Sequence, residues 1–210
     1  IFNAPEIRPW LVERGHRFTT TNSDTEVLLH LYEEKGTSLL EDLNGMFAFV
    51  LHDQKRNILF GARDRMGIKP LYYWTANGRF AFASELKSLL TLPFIDREID
   101  QQSLYHYMTL LYVPDEASII KGVHRMPPAH SFSYDLKSQQ VTLQKYWQPR
   151  FAAVEHRSED DWAKYLRLEL GSAVKRWTLS DVPIACSLSG GLDSSSIVGL
   201  LAEQGYPKIK

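Results

Sequence analysis

The 210-residue sequence predicts a layered α+β domain followed by the beginning of an α/β domain. Three observations carry this expectation. Residues 46–83 hold four short apolar strand patterns at hairpin spacing. Residues 183–203 read as a buried strand, a Gly-rich turn and a helix. Residues 148–157 change composition and read as a linker, so the boundary is drawn to give domains over 1–149 and 150–210.

The elements follow in order. Residues 5–15 form a short helix with Ile7, Trp10 and Leu11 on one side and Gly15 as its stop. Residues 16–21 read as extended. Ser23 is the N-cap of the next helix, and Glu26 three residues later completes a capping-box pattern. Val27, Leu28, Leu31 and Tyr32 give that helix its apolar stripe, and Gly36 ends it. Leu39, Leu40 and Leu43 belong to a further helical turn. Residues 46–51 and 58–62 are strands joined by a polar turn. Residues 71–74 and 80–83 are a second pair, with Asn77-Gly78 as a strong hairpin signal. These strands are apolar almost throughout, which predicts that both faces of a largely antiparallel sheet are covered. Ser84 caps a helix to about Leu90, and Asp100 caps another to residue 110. Residues 130–135 and 140–146 form a hairpin. Ser158 opens a long helix to Trp177, with Glu159, Asp160 and Asp161 suited to its dipole and a stripe of Trp162, Leu166, Leu170, Val174 and Trp177. A buried strand, 183–188, then leads through the turn into a helix from Ser194 to Glu203. Gly205-Tyr206-Pro207 breaks it, and 208–210 would begin another strand.

Composition narrows the function classes. Lys plus Arg is 24 and Asp plus Glu is 25, a formal charge of -1, so nothing marks a nucleic-acid partner. The Lys55-Arg56 cluster falls in a turn and reads as surface. One cysteine, Cys186, makes an internal disulfide impossible and fits a reducing, cytoplasmic setting. It lies in an apolar strand and is expected in the core. No apolar run reaches the roughly 18 residues of a membrane span, and no signal peptide is visible. The seven histidines are scattered, and none has a His-x-x-x-His spacing.

The chemistry concentrates at Ser189-Gly190-Gly191-Leu192-Asp193-Ser194. A polyphosphate needs many donors in a small space. Adjacent glycines let the backbone turn tightly and bring its N–H groups close. The N-terminus of the following helix adds unpaired N–H groups aimed at the same point. Ser189 and Ser194 add hydroxyls. Asp193 repels phosphate directly, so it is the candidate ligand for Mg2+, which would grip the phosphates. There is no lysine of a Walker loop and no Gly-x-Gly-x-x-Gly fingerprint. The bland alternative is a tight strand-to-helix turn without a ligand.

Residues 187–195, Ser-Leu-Ser-Gly-Gly-Leu-Asp-Ser-Ser, resemble the synthetase signature of glutamine-hydrolysing asparagine synthetases, and Asp181-Val182-Pro183 ahead of them also matches. Four stretches of the first domain resemble the class II glutamine amidotransferase domain of that family: residues 23–29, 43–49, 62–73 and 82–87. The resemblance covers essentially the whole chain in family order. It implies an αββα N-terminal-nucleophile-type glutaminase domain, N-terminally truncated, joined to the start of an adenine nucleotide alpha hydrolase-like domain.

That resemblance implies a ligase of amino-acid biosynthesis. Glutamine would be hydrolysed in the first domain and its ammonia passed to an aspartyl-adenylate made with ATP and Mg2+ in the second. Asp24 would pair with the ammonium of glutamine, although a carboxylate in a first helical turn also serves as part of a cap. Leu188 would touch the nucleotide through its backbone, and Ser189, Gly190, Gly191, Leu192, Asp193 and Ser194 would form the pyrophosphate loop. The partners implied are glutamine, aspartate and ATP, with a homodimer as the assembly and neither nucleic acid nor membrane. Arg63, Asp64, Arg65 and Lys69 are expected to form an internal salt-bridged turn, and Glu85 and Lys87 to be structural. The family's nucleophile is a terminal cysteine, which Cys186 is not, so no catalytic residue is assigned. The segment before Ile1 and the rest of the nucleotide domain are expected to lie outside this sequence, leaving the piece inactive in aspartate-dependent ATP–pyrophosphate exchange and prone to aggregation at its uncovered apolar face. Two other readings remain open: a relative that amidates or cyclises another carboxylate, and a non-catalytic remnant.

Overall fold

The computed structural model describes residues 1–114, 116–152, 156–180 and 182–206. The expected strand start at 208–210, Pro207, and Asp181 of Asp181-Val182-Pro183 lie outside the described residues. The chain divides into two compact units, one of Ile1 and Asn3–Pro149, the other of Phe2 and Arg150–Lys210.

The first unit opens with helices α1 (Ala4–Glu13) and α2 (Asp24–Lys35), a 3-10 turn (Gly36–Ser38) and the short α3 (Leu39–Asp42). Strands β1 (Ala48–Asp53) and β2 (Ile58–Arg63) follow, then β3 (Tyr72–Ala76), β4 (Arg79–Ala83), α4 (Leu86–Leu89), α5 (Gln101–Leu110), β5 (Val123–Arg125), β6 (His130–Asp135) and β7 (Gln140–Lys145). The strands form two antiparallel sheets, ordered β1-β2-β6-β7 and β4-β3-β5.

Alternation along the strands explains the layering. In the larger sheet Phe49, Leu51, Phe60 and Ala62 pack with Leu11, Val27, Leu28, Leu31, Leu39 and Leu40 of the helices. Ala48, Val50, Leu59, Phe132 and Tyr134 point the other way, onto Leu71, Tyr73, Phe80 and Met126. The far face of the smaller sheet, with Trp74, Ala81 and Val123, packs on Leu86, Leu89, Ile95 and Ile120. The order is helices, sheet, sheet, helix and loop. Both faces of both sheets are covered, which is why the strands read as nearly continuous apolar runs. Gly61 faces Phe132 across the ladder, and a Cβ there would collide with that ring.

Several local signals act as expected. Asn77 (φ 51°) and Gly78 (φ 70°) turn β3 into β4, and the Asp100 side chain accepts from Ser103 N at 2.7 Å. Others differ. The helix after Ser84 starts later, with Glu85 as its N-cap. Strand β5 is an addition, lying between the helix to residue 110 and the hairpin from residue 130. The Ser23 side chain makes no cap bond, and the capping box does not form. The Glu26 carboxylate instead accepts from Thr19 N at 2.6 Å, Thr19 Oγ1 at 2.9 Å, Thr20 N at 2.8 Å and the Thr20 hydroxyl. The loop before α2 folds back over its first turn and takes the carboxylate that a box would use.

The expected salt-bridged turn is internal but holds together differently. Asp64 is 1% exposed and accepts from the N–H groups of Phe47 (3.3 Å), Met66 (3.1 Å), Ile68 (2.9 Å) and Lys69 (2.9 Å). Arg63, also buried, donates to the carbonyls of Lys69 (2.7 Å), Met126 (2.5 Å) and Gly67 (2.6 Å). Each charge meets backbone dipoles, not its oppositely charged neighbour.

In the second unit α6 (Glu159–Trp177) packs on α7 (Leu192–Glu203) through Val174, Leu200 and Leu201, with Cys186 and Tyr206 against them. Ser158 caps α6 by accepting from Asp161 N at 3.2 Å. Arg167 pairs with Glu203 at 2.5 Å. Two expectations fail. Residues 183–188 form no strand, because a strand is stable only with a ladder partner and the described residues of this unit are helices and loops. The α6 stripe is buried only at Val174, with Leu166 at 66% exposed. Cys186 is accordingly half-buried, not fully enclosed in a core. Among the described residues no helix is long and apolar enough to cross a membrane.

Two predictions follow from these buried and bonded carboxylates. Asp64→Asn turns an amide NH2 toward backbone donors and should lower stability by about 3 kcal/mol in urea unfolding, and a loss under about 0.5 kcal/mol would contradict the account. The Thr19 backbone N–H, followed by the bonds from Thr20, lowers the Glu26 pKa to about 2. A pKa depressed on folding stabilises the folded state above the unfolded value, about 4.3, and that contribution is lost as pH falls toward 2. The Glu26 carboxyl should titrate by NMR with a midpoint near 2, and a midpoint at the ordinary value would refute the bonding described.

Candidate functional site

The Gly-rich turn joins an extended segment to the N-terminus of α7. Gly190 adopts φ 83°, the left-handed region, with nothing within 4 Å of where its Cβ would sit. Its requirement for glycine is therefore conformational and leaves the space above it open. Gly191 is the N-cap of α7 (φ -78°, ψ 164°) and supplies no side-chain cap. The first N–H groups of a helix have no intrahelical acceptor, so they face outward at this end. The Ser189 and Ser194 hydroxyls lie 3.1 Å apart, Ser189 N donates to Ser194 Oγ at 3.3 Å, and Ser194 Oγ also reaches Gly191 O at 3.3 Å. This clasp draws two hydroxyls, the glycine backbone and a helix N-terminus to one exposed point. Asp193 lies in the first turn of α7. Leu188 and Leu192 are exposed, at 60% and 82%. Partial positive charge and many donors suit the arrangement to a polyanion.

In the first unit Asp24 is the first residue of α2. Neighbours missed by the sequence reading fix the loop leading to it. Arg8 on α1 donates to Thr20 O at 2.9 Å and Ser23 O at 3.1 Å, and its guanidinium lies 4.1 Å from the Phe18 ring centroid. Glu26 holds Thr19 and Thr20 from the other side. Asp24 Oδ2 lies 2.6 Å from the α-amino nitrogen of Ile1. Asn3 donates to Asp42 O at 2.7 Å and accepts from Asn44 N at 2.9 Å. Stretches separate in the sequence, 1–3, 23–26 and 42–47, thus meet in one region. Nothing in the sequence marked Arg8, and Glu26 was expected in a capping box.

The first unit is thus a helix-covered pair of antiparallel sheets, and the second carries a Ser-Gly-Gly turn at a helix N-terminus. Residues 1–147 match the family model described as glutamine amidotransferase domain. Residues 165–210 match that described as asparagine synthase. Among similar proteins, asparagine synthetase [glutamine-hydrolyzing] 3 of Bacillus subtilis (strain 168) is 39% identical over 96% of this chain and 32% of its own length. Asparagine synthetase [glutamine-hydrolyzing] 1 of the same organism is 38% identical over 100% of this chain and 32% of its own. Amidase chyE of Penicillium rubens is 36% identical over 86% of this chain and 27% of its own. The chain belongs to the glutamine-hydrolysing asparagine synthetase family. It spans about a third of the length of the curated relatives it matches.

The loop geometry makes a graded prediction. Gly190→Ala forces an alanine to a positive φ and should lower the thermal stability of the second unit by roughly 1 kcal/mol. Gly191→Ala, at an ordinary φ with its Cβ 3.5 Å from Ser189 Oγ, should cost less. Equal or reversed effects in thermal unfolding would refute the assigned conformations.

Proposed function

We propose that the protein carrying this chain makes asparagine from aspartate, using ATP and ammonia released from glutamine. Residues 1–149 are assigned to an N-terminal-nucleophile-type glutaminase domain and 150–210 to the start of the ATP-binding synthetase domain. Asp24 would hold the ammonium of glutamine. The observation that supports this function is the clasp of the Ser189 and Ser194 hydroxyls at the N-terminus of α7, within the residues that match the asparagine synthase family model.

In the second domain the loop from Leu188 to Ser194 would receive the triphosphate. An aspartate carboxylate oxygen attacks the α-phosphorus, the bond to the bridging oxygen breaks, and pyrophosphate departs into the loop. Ammonia then attacks the activated carbonyl, and AMP leaves. Adenylation is needed because a carboxylate oxygen is otherwise a poor leaving group. The chain's contribution is electrostatic: backbone N–H groups at Gly190 and Gly191, the α7 N-terminus and the Ser189 and Ser194 hydroxyls meet charge that grows on the departing phosphates. An exposed carboxylate beside phosphate donors fits Mg2+, which takes one or two carboxylates together with substrate phosphates. Asp193 would hold it, and the ion would neutralise phosphate charge.

The 36% identity to an amidase favours a second reading, in which the same two domains act on a different carboxylate. The loop handles phosphate in either case and does not select the acceptor.

The test uses the whole gene product. Asp193→Asn should lower aspartate-dependent ATP–pyrophosphate exchange by about 100-fold or more while glutaminase activity stays within about twofold. Asp24→Asn should raise the KM for glutamine by about 100-fold and leave ammonia-driven synthesis intact. Exchange that persists in Asp193→Asn would remove the role given to the loop aspartate. Exchange with another carboxylate but none with aspartate would decide for the second reading.

A further inference from the structure

The histidines, scattered in sequence, are not all apart in space. His16 follows α1, while His30 and Glu33 lie one turn apart on α2. His16 Nδ1 and His30 Nδ1 are 3.1 Å apart. Glu33 Oε2 is 2.9 Å from His30 Nδ1 and 3.4 Å from His16 Nδ1. Three lone-pair atoms from two elements therefore converge on one point. Zinc bonds of about 2.0–2.1 Å at tetrahedral angles set donor atoms about 3.3–3.4 Å apart, so the triangle has nearly the size of one face of such a site. The His16 and His30 side chains are 14% and 19% exposed, and Glu33 is 63% exposed. The imidazoles are sheltered, and the carboxylate side remains open for water to complete the coordination.

The surroundings prepare the histidines as ligands. His16 Nε2 lies 3.0 Å from Glu34 Oε1. A carboxylate there holds the proton on Nε2 and leaves the Nδ1 lone pair directed at the triangle, as the outer partners of metal-bound histidines do. His30 Nε2 is buried without a hydrogen-bond partner, so every polar contact of that ring is made through Nδ1. Without a cation, a proton on one of the two Nδ1 atoms must bridge these three acceptors. A divalent ion takes the place of that proton and satisfies all three lone pairs, each imidazole then carrying its one proton on Nε2.

We propose that His16, His30 and Glu33 bind a divalent transition-metal ion, with Glu34 as the residue that positions His16. Two imidazoles and one carboxylate are a borderline donor set, suited to Zn2+. The ion would tie the segment after α1 to α2, the helix that begins with Asp24.

The test is titration of the full chain, stripped of metal and free of any affinity tag, with Zn2+ in a calorimeter. One equivalent should bind with a dissociation constant in roughly the micromolar range. His16→Ala should abolish that binding, and Glu33→Gln, at an exposed side chain whose loss leaves folding intact, should weaken it about tenfold or more. Glu34→Gln should weaken it about 10–100-fold. Co2+ should give the visible absorption of a four-coordinate site in the parent chain and lose it in His16→Ala. Circular dichroism in chelator should be the same for all variants. No heat with Zn2+ at millimolar concentration would overturn the proposal, as would an unchanged dissociation constant in His16→Ala and Glu33→Gln.

Discussion

Asp64 accepts four backbone N–H groups while 1% exposed, and much of the first unit is arranged to make that possible. Taking a carboxylate out of water costs several kcal/mol unless its lone pairs are satisfied. The chain meets the requirement by winding residues 64–69 around the side chain, with Gly67 at φ 66° where a Cβ would press on Pro128 and Arg63. Arg63 closes the same turn and reaches Met126 O. Met126 N in turn donates to Leu71 O, and Ala129 N to Asp64 O. The end of β2, the approach to β3 and the segment entering β6 are thereby fixed together, which joins the two sheets. Tyr146 adds a bond to Arg63 O at 2.8 Å, and burial pushes its hydroxyl well above the usual range.

The consequence reaches the candidate glutamine site. Phe47 donates to Asp64 and Asn44 donates to Asn3, so residues 44–47 are held at both ends. One end belongs to the sheet-joining turn, the other, through Asn3, to the start of α1, whose Arg8 holds the loop before Asp24. The second unit works by another economy. Its core is small, Val174, Leu200 and Leu201 with two half-buried neighbours, and its loop depends on local backbone geometry. A positive φ at Gly190, an uncapped helix start and two serine hydroxyls need few distant contacts. That is why a phosphate-type loop can be shaped here even though residues 183–188 have no strand partner.

The same distinction explains what was legible in the sequence. Features set by near neighbours could be read: the Asn77-Gly78 turn, the caps at Asp100 and Ser158, the β6–β7 hairpin, the glycine loop. The alternating faces of β1 and β2 gave apolar runs that correctly implied cover on both sides. Features set by distant partners could not. Which sheet each hairpin joins depends on β2 pairing with β6, some 70 residues away. Strand β5 is three residues long and carries no periodicity of its own. Glu26 followed the capping-box spacing, yet Thr19 and Thr20 took its carboxylate. Arg63 and Asp64 looked like partners because they are adjacent, whereas burial turned each toward backbone groups. The convergence of His16, His30 and Glu33 is a product of helix packing and has no sequence spacing to reveal it.

The phosphate role of the Ser-Gly-Gly loop is tested most directly by adding Mg2+–pyrophosphate to the 15N-labelled chain and following amide shifts. Saturable shifts at the amides of Gly190, Gly191, Leu192, Asp193 and Ser194, with those of residues 1–149 unmoved, are the predicted result. Amides of 189–194 that stay in place at millimolar pyrophosphate, or shifts centred elsewhere, would contradict the loop as the phosphate-binding element.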